Sequence, residues 1–120
     1  MENAAIDETI ITSLKQLEIP GEPVPFLDEL IHIFLTDASL SSRNLSTAYT
    51  QKDWPNVNRW AHKLKGQARN LGANRLSDVC SNLEILASQT EKANADALIQ
   101  ASEDELKAAI TALRGYLRTS

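Results

Sequence analysis

His62, Lys65, Gly66 and Arg69 are the residues of this chain whose types and spacing point to chemistry. On a helix they fall at i, i+3, i+4 and i+7, along one strip of surface. Imidazole, with a reference pKa of about 6.5, is largely neutral near neutral pH and offers an unprotonated ring nitrogen as a nucleophile. Lysine one turn away supplies positive charge beside an incoming anion. Glycine one turn away lets another molecule's backbone come close to the ring. That glycine asks for a reason, because in a helix interior it costs about 1 kcal/mol relative to alanine. Clearance for a partner is the simplest reason, and close packing between helices is the competing one. His32, by contrast, has no comparable neighbours and is assigned no role.

The strip needs a helix to carry it. A segment opening at Asp53-Trp54-Pro55 has a capping aspartate and a proline in the first turn, and Val57, Ala61, Leu64, Ala68 and Leu71 give it a buried face. His62 directly follows Ala61, which puts it on the shoulder of that face, open to solvent. Gly72 supplies a left-handed stop, and Asn74 is the expected cap of a further helix bearing Leu76, Val79, Cys80, Leu83, Leu86 and Ala87. So short a link makes the two helices antiparallel neighbours.

Upstream, Leu27, Leu30, Ile31, Phe34, Ala38, Leu45, Ala48 and Tyr49 keep one apolar stripe over about 26–52. A shorter helix over about 3–18, with Ile6, Ile10, Leu14 and Leu17, precedes it across the breaker-rich Pro20 to Pro25. A last helix over about 95–117 carries Leu98, Leu106, Ala109, Ile110, Leu113, Tyr116 and Leu117. The expected fold is all-α: an up-and-down antiparallel four-helix bundle, core about 26–118, capped by the opening helix, in a single domain over 1–120.

Composition narrows the function classes. With 120 residues, 42% hydrophobic and 23% charged, one core is affordable and two ordinary domains are not. The net charge of −4 argues against general nucleic-acid binding. The mean hydropathy of −0.28, with no long apolar run and no leader-like start, predicts a cytoplasmic protein without a membrane span. Cys80 is the one cysteine, which excludes an internal disulfide; it reads as a small core residue, and the lack of Cys or His clusters excludes the common structural zinc sites. Between Trp54 and Ser77 the ionic residues are all basic, namely Arg59, Lys63, Lys65, Arg69 and Arg75, so a +5 segment sits in an acidic background. Trp54 and Trp60 are available to anchor the helix start and the core, or to border a docking surface.

Residues 61–73 read A-H-K-L-K-G-Q-A-R-N-L-G-A. This resembles the motif of the histidine-containing phosphotransfer (HPt) domains of bacterial multistep phosphorelays. The segment Phe26 to Asp37, the Asp53 turn and the stretch from Ser77 to Glu84 are similar to the family's pattern as well. The resemblance implies that His62 is the phosphoacceptor, Lys65 the cation near the phosphoryl group and Gly66 the clearance residue. It puts Glu84 where relatives carry Glu or Gln able to orient the imidazole. Gln67 departs from the usual small Ser or Ala; its amide either replaces a hydroxyl's bond to the phosphoryl oxygens or points away.

By the same resemblance the chain accepts a phosphoryl group from a receiver-domain aspartate and passes it to a response-regulator aspartate. It is then a phosphotransfer intermediate without ATP-dependent kinase activity. It needs no cofactor or metal of its own, the Mg²⁺ residing in the receiver. The expected partners are the receiver domains of a hybrid sensor kinase and of a response regulator. Arg59, Lys63, Arg69 and Arg75 are expected to steer them, and apolar residues of the second helix, and of the opening one, to complete the docking surface. A monomer without nucleic-acid or membrane binding is expected, and the Met1 start favours a free-standing protein. The alternative function is a docking module that takes no phosphate and binds acidic proteins or nucleic acid through the basic segment 59–75.

Overall fold

The computed structural model describes residues 4–118. Five helices follow in order: α1 (Glu8–Lys15), α2 (Phe26–Thr50), α3 (Trp54–Asn70), α4 (Asn74–Ala87) and α5 (Ala95–Arg114). The last four form the expected up-and-down bundle, each packing on its chain neighbour and α5 closing the ring against α2, while α1 packs on α2. Among the described residues no helix is long and apolar enough to cross a membrane.

The helix that carries His62 is defined at both ends by its own sequence. Asp53 caps it, accepting from the Asn56 amide at 3.3 Å, and Pro55 lies in the first turn. Val57, Ala61, Leu64 and Ala68 are fully buried along its inner face. At the far end Gly72 has φ +75°, and an added Cβ there would sit 3.0 Å from Ile10 Cβ and 3.1 Å from the Asp7 carbonyl oxygen. The Asp7 amide donates to the Gly72 carbonyl at 2.8 Å. One glycine thus turns the chain and admits the start of α1, which pins the opening helix on the α3–α4 turn.

Several local expectations are corrected. The opening helix spans Glu8–Lys15, not 3–18; Asp7 caps it by accepting from the Thr9 amide at 2.9 Å, and Asn3 lies outside the described residues. Ile6 and Ile11 are buried, whereas Leu17, at 63% exposure, has left the core past the helix end. Asn74 is the first residue of α4 and not its cap; Ala73 holds that position without a side-chain bond, and Asn74 Nδ2 reaches Asp7 at 3.4 Å. α2 stops at Thr50, because Lys52 adopts a left-handed φ of +56°, and α5 stops at Arg114. Cys80 is buried as expected; burial pushes its thiol up to about 12, with the nearby Glu84 charge adding to the rise and Lys65 opposing it. The thiol is therefore unreactive at neutral pH.

Candidate functional site

Ala61 and Leu64 face the core with 0% exposure, and this fixes His62, the residue after Ala61, on the outer shoulder of α3 with its side chain 70% exposed. Across the α3–α4 interface the ring meets Glu84, whose Oε2 lies 2.9 Å from His62 Nδ1. A carboxylate oxygen only accepts, so the ring proton sits on Nδ1, leaving Nε2 unprotonated on the neutral ring. Nε2 has no partner among the described residues. Glu84 Oε1 is 2.5 Å from Lys65 Nζ, making a chain from lysine through carboxylate to imidazole.

Electrostatics favour the ionised carboxylate at the centre of that chain. Burial pushes the Glu84 carboxyl up, but the hydrogen bonds and charges of Lys65 and His62 outweigh it and hold the group below its ordinary value. Its position is secured by Asn58, a residue the sequence reading passed over. The Asn58 amide donates to the Glu84 backbone carbonyl at 3.0 Å. α4 ends at Ala87, so that carbonyl belongs to the last turn, where intrahelical donors run out. Ser88 Oγ adds a second bond at 3.3 Å. Asn58 lies one turn before His62 on the same strip, and that spacing was the available signal.

Gly66 faces open space: a Cβ built there meets nothing within 4 Å. Packing between helices therefore does not explain this glycine. Lys65, expected as an exposed charge, has only 18% of its side chain exposed and is held by Glu84. Gln67 turns toward α2, where it lines a groove with Leu30, Ile33, Phe34 and Asp37, and its Oε1 is buried without a hydrogen-bond partner.

The basic segment is not one continuous patch. Arg75 Nε pairs with Glu105 of α5 at 2.9 Å, away from the His62 strip, and Lys65 is matched by Glu84. Arg59 and Lys63 both lie over the Trp60 ring, each 5.3 Å from its centroid, and Arg69 is exposed. Trp54 meets Tyr49 edge-on at 5.9 Å, so it anchors the α2–α3 corner. Ile33 and Leu40 on α2 are exposed apolar side chains, and so are Leu17 and Ile19, just past α1. No group of three or more His, Cys, Asp or Glu is arranged to hold a metal among the described residues.

The profile of the Hpt domain matches residues 29–116. Among solved structures, the crystal structure of histidine-containing phosphotransfer protein B (HptB) from Pseudomonas aeruginosa PAO1 is similar over 95% of each chain, with a TM-score of 0.83 and 26% identity. Comparison with curated protein sequences returns no match.

Proposed function

Because the chain belongs to the Hpt domain family, we propose that His62 Nε2 is the atom through which it acts as a histidine phosphotransfer intermediate of a phosphorelay. The observation that carries the assignment is the 2.9 Å contact between Nδ1 and Glu84 on a ring that is otherwise exposed. One nitrogen is engaged by the protein, and the other is presented to a visitor.

In the forward step Nε2 attacks the phosphorus of a receiver's aspartyl phosphate. The P–N bond forms, the acyl phosphate P–O bond breaks, and its electron pair leaves with the aspartate carboxylate. Nδ1 keeps its proton, so the ring becomes cationic and the Glu84 carboxylate stabilises it. In the onward step a second receiver's aspartate attacks the same phosphorus, the P–N bond breaks, and neutral imidazole returns. Lys65 holds the carboxylate against rotation and adds positive charge one turn from the phosphoryl oxygens. Gly66 leaves room for the receiver's loops. The receiver supplies Mg²⁺ and the in-line geometry. The chain acts without ATP-dependent kinase activity, in the cytoplasm, as a monomer.

The test is to incubate the protein with receiver domains of the source organism, acetyl phosphate and Mg²⁺. Expected is a label on this chain that is lost in acid, stable in base and absent from His62→Gln. A label that persists in His62→Gln, or no label with any receiver, overturns the assignment.

A further inference from the structure

We propose that the groove between α2 and α3 is a specificity socket, in which Asp37 and Gln67 accept a single cationic side chain of the receiver that docks on His62. The inference rests on the receiver reading above and adds to it which residues choose the partner.

Three observations carry it. Gln67 Oε1 is buried and has no hydrogen-bond partner, whereas buried acceptors in native proteins are nearly always paired. Asp37, exposed on the facing helix, has no ion-pair partner among the described residues. The two line one groove of about 180 Å³ whose other walls include Leu30, Ile33 and Phe34. A free carboxylate and an unpaired acceptor above apolar walls are complementary to a lysine or arginine, whose methylene stem covers the apolar surface while its head meets the Asp37 carboxylate and, once the buried Gln67 amide turns outward, its oxygen as well.

Position makes a receiver the occupant. Gln67 is five residues beyond His62 on the same helix, about 7.5 Å along its axis. A protein interface of ordinary size covers about 800 Å² on each partner, so a domain that reaches the imidazole also covers the groove. The charge pattern makes the socket selective. Lys63 and Arg69, exposed on α3, repel cations that approach that helix, whereas Asp37 offers an exposed carboxylate on α2. A receiver with its cation at the matching place is accepted; one with the cation displaced meets like charge.

The experiment measures transfer between this chain and a receiver that loads it with phosphate, over a range of receiver concentrations. Asp37→Asn and Gln67→Leu are each expected to raise the half-saturating receiver concentration about tenfold without lowering the saturating rate. Asp37→Lys should raise it further, and changing one receiver lysine or arginine to glutamate should restore it. Asp104→Asn on α5 serves as a control with no expected effect. Unchanged half-saturation in both Asp37→Asn and Gln67→Leu overturns the socket while leaving phosphotransfer intact. A lower saturating rate in Gln67→Leu at unchanged half-saturation also overturns it, because that pattern belongs to a bond with the phosphoryl group. If the unaltered chain takes no phosphate from any receiver, both readings fall together.

Discussion

Glu84 links two groups that do different work, and its ionisation state governs both. Lys65 and His62 hold its carboxyl below the ordinary value against the opposing effect of burial. A carboxyl whose native pKa is depressed stabilises the fold fully above its unfolded value, about 4.3 for glutamate, and that stabilisation disappears as pH falls through the lowered native value. Glu84→Gln should therefore flatten the acid limb of a plot of urea midpoint against pH, and identical acid limbs would contradict the ion pair. The same variant should slow phosphorylation of His62, because an amide orients the ring without neutralising its cation. Lys65→Ala is expected to lower stability by about 1 kcal/mol, since it breaks a pair that is neither fully exposed nor fully buried. It should also slow transfer by about tenfold, as loss of an electrostatic stabiliser does; unfolding curves and quench-flow labelling of the one variant check both. The position of His62 could be read from sequence, because a helix with buried Ala61 and Leu64 leaves its side chain nowhere else to go. The pairing of Lys65 could not be read, since it depends on where α4 sets the Glu84 side chain.

Two glycines on or next to α3 make opposite predictions, and the contrast comes from their surroundings. Gly66 has helical geometry and empty space where a Cβ would be, so Gly66→Ala should stabilise the bundle by about 0.5–1 kcal/mol. A bulkier residue there should keep the fold and impair transfer with receivers. Gly72 has a left-handed backbone and contacts of 3.0–3.2 Å at the Cβ position, so Gly72→Ala should destabilise by about 1–2 kcal/mol. Because Asp7 bonds to the Gly72 carbonyl, the loss should first appear as faster amide exchange in α1. Urea midpoints that move the same way in both variants would remove the distinction. The four bundle helices were legible from their apolar stripes and from Asp53 and Gly72, which act locally. The ends of α1, α2 and α5 and the start of α4 were not. Asp7 and Asn74 are settled by contacts between segments 67 residues apart, and sequence spacing carries no record of such contacts.

At the scale of the whole molecule, the distribution of charge matters more than its sum. The chain carries a net −4, yet the segment from Trp54 to Ser77 holds five basic residues and no acidic one. Counting them in sequence overstates the field at His62, because Glu84 and Glu105 on other helices neutralise Lys65 and Arg75. Arg59, Lys63 and Arg69 remain, grouped on α3, while the acidic surplus lies elsewhere. A receiver that presents acidic groups around its phosphorylated aspartate is expected to be oriented by this asymmetry before any contact forms. Such steering acts through solvent and is screened over about 10 Å at 0.1 M salt and about 3 Å at 1 M. Removing two of the three charges, in Lys63→Gln combined with Arg69→Gln, should therefore lower the second-order rate of phosphotransfer about three- to tenfold at low salt. The saturating rate should be unchanged, because neither charge touches the ring or Glu84. Raising the salt toward about 1 M should slow the unaltered protein until the two converge. A deficit in the double variant that persists at high salt would mean that Lys63 or Arg69 makes a direct contact in the docked complex; convergence identifies them as guides of approach.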